Sequence, residues 1–145
     1  MALLSDCHLD DPFVVRNLER MMEGFSMMDQ PPAVVVMCGP FLQRPYGSGR
    51  DDRRAFSHHM DTLASLINRH ESVVNQTQFV LVPSATDPGS ARVLPRPPLP
   101  TCLCKPLIEK ARTGGARVTL ATNPTRLRYH TQEIVVFRED LGNKL

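Results

Sequence analysis

The sequence predicts an α/β fold: layered, with a mainly parallel sheet and flanking helices. Three observations carry this. Short β-branched runs alternate with amphipathic stretches in the order β-α-β-α-β. The best-defined run, Ala33 to Cys38, is apolar throughout, as in a strand buried on both faces. The amphipathic stretches between runs are long enough to be crossover helices.

Taken in order, Met1–Ser5 (MALLS) is a short apolar run that stops at Asp6 and reads as the end of a buried strand. Asp11-Pro12 opens a helix, since proline suits the first helical position and the preceding acid can cap it. Val14, Leu18, Met21 and Phe25 follow as an apolar stripe, and Gly24 with Pro31-Pro32 ends it. Ala33–Cys38 is the second strand, broken by Gly39-Pro40, and residues 43–50 form a loop by their Pro and Gly content. The longest helix is expected from Asp51 to His70, with Phe56, Met60, Leu63 and Ile67 on one face. Gln78–Val82 is a third strand. Residues 83–100 carry six of the 13 prolines and are expected to be irregular. Lys105–Arg112 is expected to be a short helix ended by Gly114-Gly115, Arg117–Ala121 a fourth strand, and Glu133–Phe137 a fifth. Tyr129 and Gln132 then serve turn and packing roles.

Composition narrows the function classes. At 145 residues, one domain with one modest core is the expectation. The longest apolar run, six residues, is far below the roughly 18 that a membrane span needs. Acids at Asp6, Asp10 and Asp11 stand where a signal peptide would be apolar. Four scattered cysteines do not make a disulfide scaffold and fit a reducing compartment. The net charge of +2 hides an asymmetry: residues 1–30 hold six acids and two bases, residues 92–128 eight bases and one acid. The basic half could meet nucleic acid or an acidic protein, or could be a solvated surface.

Sites in parallel sheets lie at the carboxyl ends of strands. Those ends are Asp6-Cys7-His8, Cys38-Gly39-Pro40 and Pro83 to Asp87. A strand ending in Asp-x-His resembles the first motif of calcineurin-like metallophosphoesterases. That family's second motif is Gly-Asp and its third Gly-Asn-His-Asp or Glu, which together hold two metals around an in-line phosphoryl displacement. Here Pro40 stands in place of the bridging Asp, and Ala85 and Thr86 in place of the Asn and His, with Asp87 after them. The resemblance therefore implies a calcineurin-like fold with vestigial metal-motif positions at Asp6, His8, Pro40, Ala85 and Asp87. It implies no catalytic residues, no metal and no cofactor.

Several strings in one order sharpen the resemblance: Leu4-Ser5-Asp6, Cys38-Gly39 followed by Phe41, Pro45-Tyr46-Gly47, FVLVPSATDPG from Phe79, LPRPPLP from Leu94, Thr122-Asn123-Pro124 and TQEIVVFREDLGNK from Thr131. Together they resemble the B-subunit family of DNA polymerase epsilon across nearly the whole chain. The resemblance implies a nuclear, non-catalytic accessory subunit. Its phosphoesterase-like domain packs on an OB-fold and carries the C-terminal zinc-binding region of the catalytic subunit, with DNA contacted only indirectly or weakly. It further implies that residues 1–145 are a partial domain, from the first strand end to a late strand, with the OB-fold, N-terminal region and C-terminal strands absent. Such a piece would leave apolar surface uncovered. The rival reading is an active metal-dependent phosphoesterase acting on a nucleotide or phosphodiester.

Bland readings stand beside the sharp ones. Asp6 and His8 could hold a single metal, or Asp6 could be a relic that accepts backbone hydrogen bonds. Cys7 and Cys38 end neighbouring strands but have no fourth ligand for zinc beside His8. Cys102-x-Cys104 has the wrong spacing for a zinc knuckle, and His58-His59 point about 100° apart on a helix. Ser84 has no nearby His in sequence to activate it. Gly47-Ser48-Gly49 lacks the Lys of a phosphate loop and is expected to be flexible. LPRPPLP could be a polyproline ligand or a stiff loop laid over the domain or its OB-fold.

Overall fold

A computed structural model describes residues 1–89 and 93–142. Four parallel strands form one sheet in the order β1 (Ala2–Leu4), β2 (Val34–Cys38), β3 (Gln78–Val82), β4 (Arg117–Leu120). Their register runs Leu3 to Val36, Val36 to Val80 and Val80 to Thr119, so spatial order follows chain order. The helices are α1 (Pro12–Ser26), α2 (Asp52–Asn68), α3 (Glu71–Gln76) and α4 (Thr101–Gly114).

The continuous apolar runs of β2 and β3 are explained by cover on both faces. Val35, Met37, Phe79 and Leu81 point into the main core with the helices, and Val36, Cys38, Val80 and Val82 into a smaller second core. The stripe predicted for α2 is correct, with Phe56, Met60, Leu63 and Ile67 all buried. Asp11 caps α1 by accepting from Phe13 N at 2.8 Å, and Pro12 is its first residue. Gly24 does not end α1, which runs two residues further to Ser26.

Three expectations on elements need correction. The long helix stops at Asn68, and a separate short helix, α3, buries Val73 and Val74. The last helix is longer than Lys105–Arg112: it begins at Thr101, and Pro106 lies inside it. The carbonyl a proline cannot serve one turn back is that of Cys102, an exposed residue, so water can satisfy it. Gly115, at φ 84°, closes this helix in the left-handed region that glycine reaches without a Cβ penalty.

The third correction concerns the final strand. It does not extend the parallel sheet but is half of an antiparallel hairpin, β5 (Thr125–Tyr129) with β6 (Gln132–Val136). Tyr129 pairs with Gln132 across a turn in which His130 has φ 54°. Both residues are thus strand ends. Leu127, Ile134 and Val136 face the second core, while Arg126, Arg128 and Val135 face outward. No helix among the described residues is long and apolar enough to cross a membrane.

Candidate functional site

Parallel pairing brings all four carboxyl strand ends to one rim of the sheet. The loop after β1 is tied to the loop after β2: Leu9 N donates to Phe41 O at 2.8 Å, and Gln43 N to the Asp10 carboxylate at 3.0 Å. β2 is tied to β3 by Gly39 N to Val82 O at 2.9 Å. Asn123, fully buried after β4, donates through Nδ2 to Pro83 O at 2.8 Å and to Arg138 O at 2.6 Å, and accepts from Arg138 N at 3.1 Å.

Arg138, just beyond β6, closes this rim. Its Nε donates to Gly39 O at 3.1 Å, and its Nη2 to Asp6 Oδ1 at 3.0 Å. One side chain therefore joins the ends of β1 and β2, while its backbone joins β4. Beneath it lies a second arginine from the proline-rich loop. Arg96 is 2% exposed and pairs with buried Glu139 at 2.9 Å, and its backbone exchanges two hydrogen bonds with Asn123. LPRPPLP is thus laid on the body of this domain and pinned at its arginine. Neither Arg96 nor Arg138 carries a sequence signal that separates it from the other basic residues. Only the stretch FRED, specific as a string, marks the place.

The predicted positions fall as follows. Asp6 lies two residues beyond β1 with φ 55°, a left-handed conformation that Asp tolerates better than most residues. Burial opposes its ionisation, but hydrogen bonds from Ser5 Oγ (2.7 Å) and Arg138, with the charges of Arg138 and His8, hold its carboxyl below the ordinary range. The idea that Asp6 gathers backbone N–H groups needs correction, because its donors are side chains. At the strand-end positions named from the sequence, the carboxylate that gathers backbone is Asp87. It is buried, accepts from Phe41 N at 2.9 Å and Ser84 N at 2.8 Å, and burial pushes its pKa up. Asp87 thus stitches the loop after β2 to the loop after β3. His8 is half-buried, Pro40 offers no side-chain donor, and Ala85 is exposed. Among the described residues no three His, Cys, Asp or Glu side chains converge as a metal site would need.

Cys7 N donates to Cys38 O at 3.4 Å, so the two cysteines do neighbour each other. Burial, with Cys38 and Asp6 adding to it, pushes the Cys7 thiol up to about 12, and burial raises Cys38 as well. Both are held as thiols, whereas a metal ligand or nucleophile is a thiolate. Gly47-Ser48-Gly49 is held rather than loose: Asp52 accepts from Gly47 N at 2.7 Å, Gly49 N at 2.9 Å and Arg44 at 2.7 Å. The N–H groups of Gly47 and Gly49 are spent on Asp52, and that of Ser48 on Pro45 O at 3.4 Å, so the loop cannot cradle a phosphate.

Among the described residues, four bases of the basic stretch are paired with acids on different elements. Arg96 pairs with Glu139, Lys105 with Glu109, Lys110 with Asp61 and Arg126 with Glu133. None of these ion pairs reaches the acidic first helix. Glu19 of α1 is met instead by Arg69, at the end of α2. Arg92 lies outside the described residues.

Comparison with known proteins agrees along the whole chain. Residues 1–145 match the family described as the DNA polymerase alpha/epsilon B-subunit. The chain is 38% identical over 144 residues to DNA polymerase epsilon subunit 2 of Drosophila melanogaster, covering 99% of this chain and 25% of that protein. It is 38% identical to the Homo sapiens subunit 2, covering 99% and 26%. To the Mus musculus subunit 2 it is 35% identical, again covering 99% and 26%. The chain spans about a quarter of the length of these relatives.

Proposed function

The chain belongs to the DNA polymerase alpha/epsilon B-subunit family, and we propose that it is part of a non-catalytic accessory subunit of DNA polymerase epsilon, scaffolding and stabilising the catalytic subunit in nuclear DNA replication. On this reading residues 1–145 form part of a degenerate calcineurin-like phosphoesterase domain, with an OB-fold packed on it elsewhere in the protein. The partner is the catalytic subunit, met through its C-terminal zinc-binding region.

The observation that carries the non-catalytic reading is the placement of Arg138. A two-metal phosphoesterase needs carboxylate and imidazole side chains turned toward a shared pair of cations. Here the one carboxylate in first-motif position, Asp6, is paired with a side-chain cation that also holds Gly39 O. Asp87 accepts from the backbone N–H groups of Phe41 and Ser84. With Pro40 and Ala85 in the other positions, the rim has become a set of structural ties. Asp6 and Asp87, two of the positions that would have ligated metal, instead tie the sheet ends together.

Two measurements test the reading. Co-expression with the catalytic subunit of DNA polymerase epsilon should give co-elution through size exclusion. Metal analysis after equilibration with manganese, together with a generic phosphodiester assay, should find neither a tightly bound metal pair nor turnover. Two tightly held metals, with hydrolysis abolished by Asp6→Ala, would establish the active phosphoesterase instead.

A further inference from the structure

The β5–β6 hairpin lies on the sheet without belonging to it. Its strands pair with each other, and among the described residues no backbone hydrogen bond joins either one to the four-stranded sheet. β1 to β4, by contrast, are laced together by backbone pairing, and β2 and β3 share the main core with the helices. The hairpin rests through Leu127, Ile134 and Val136 on the smaller second core, formed with Val36, Cys38, Val80 and Val82 of the sheet. A two-stranded hairpin is marginal in water by itself. What it rests on, and what ties it down, therefore decide whether it stays closed.

The ties gather just past the end of β6. Arg138 donates to Gly39 O at 3.1 Å and to Asp6 Oδ1 at 3.0 Å, and its backbone bonds the Asn123 side chain at 2.6 and 3.1 Å. Glu139 accepts from Arg96 at 2.9 Å. All of these bonds are lost together if residues 138 and 139 lift. A segment with a small apolar contact and ties at one point opens at lower free energy than a core of helices on a sheet.

We propose that the hairpin is a strap over the second face of the sheet, with Arg138 and Glu139 as its clasp, and that it opens as one unit while the four-stranded sheet and its helices stay folded. Opening uncovers Val36, Val80 and Val82 and, with them, Cys38, which is 3% exposed when the strap is closed. Cys104 on α4 is fully buried in the main core and stays covered, whereas Cys102 is exposed throughout. The three thiols thus report three depths: surface, strap and core. A thiol reagent reads them, because attack needs an accessible thiolate. The device belongs to the fold of this chain and does not depend on the accessory reading.

The test is N-ethylmaleimide labelling of the whole 145-residue chain, read cysteine by cysteine by peptide mass spectrometry, at urea concentrations below the unfolding transition. Cys102 should react at once. Cys38 should react more slowly, at a rate that hardly changes with urea, because a local opening exposes little new surface. Cys104 should be slowest, and its rate should climb steeply with urea, because it waits for the core to unfold. Two variants then separate strap from core. Arg138→Gln removes a clasp residue and should speed Cys38 labelling at least about tenfold. Ile67→Val trims the main core and should speed Cys104 several-fold while leaving Cys38 unchanged. The proposal is overturned if Cys38 and Cys104 share one urea dependence, a result the parent chain gives without any variant. It is overturned equally if Ile67→Val speeds both thiols alike, if Arg138→Gln leaves Cys38 unchanged, or if Cys104 reacts as fast as Cys102 from the start.

Discussion

Gly39 is the position where one added methyl group should do the most damage. A Cβ built there would fall on Asp87 Oδ2 and lie 3.2 Å from Ser84 N. The carboxylate cannot simply swing aside, because its two oxygens accept from Phe41 N and Ser84 N at 2.9 and 2.8 Å. Gly39 is itself fixed by its N–H to Val82 and by its carbonyl to Arg138. Gly39→Ala must therefore break one or both Asp87 bonds. At about 1.5–3 kcal/mol for a hydrogen bond to a charged group, the expected loss is about 1.5–3 kcal/mol if one bond breaks and about 3–6 kcal/mol if both do. That is a large share of the roughly 5–15 kcal/mol by which a domain is stable. Urea unfolding followed by circular dichroism measures it, with Gly24→Ala as the comparison. Gly24 lies in α1 with nothing within 4 Å of its added Cβ, so that change should stabilise by about 0.5–1 kcal/mol. The mechanism is checked in an Asp87→Ala background, where the clash has no partner. There Gly39→Ala should cost at least about 1.5 kcal/mol less than alone, well beyond ordinary non-additivity of a few tenths. Equal costs in both backgrounds would refute the reasoning, and so would a Gly39→Ala protein within about 1 kcal/mol of the parent.

Three further outcomes follow from the rim and the hairpin. Asp6 titrates below its ordinary value of 3.8, so its contribution to stability is present above that pH and is lost as pH falls through the lower folded value. In Arg138→Gln an NMR titration should find the Asp6 carboxyl moved upward, and an unmoved carboxyl would show that the guanidinium does not hold it. Arg96→Met leaves Glu139 buried without its guanidinium and should cost about 3–5 kcal/mol by thermal unfolding. The paired change Arg96→Met with Glu139→Gln should recover a good part of that loss, and no recovery would count against a buried ion pair. Val136→Ser, at a 6% exposed position, should cost about 2 kcal/mol or more. Val135→Ser, one residue earlier and 59% exposed, should stay within about 0.5 kcal/mol, and similar losses at the two sites would contradict the hairpin's assignment of faces.

Local order and patterning were legible in the sequence because they rest on short-range physics. β-branched runs marked β2 and β3, since only a strand covered on both faces is apolar at every position. A stripe at helical spacing marked α2, and a capped Asp-Pro pair marked the start of α1. The strand ends, and so Asp6 and Asp87 as residues to watch, followed from the parallel order. What those side chains do was not legible. Asp87 binds the loops after β2 and β3 from within, because tertiary packing buried it beside two N–H groups that lacked partners. β5 was hidden because an outward Arg126 and Arg128 flanking an inward Leu127 look like loop until a hairpin partner sets the faces. Arg96 and Arg138 look like any surface arginines. Only the folded chain brings residue 138 back to residues 6 and 39, and residue 96 to residue 139. Desolvation at the rim decides which charges are paired there, and desolvation depends on neighbours far away in sequence.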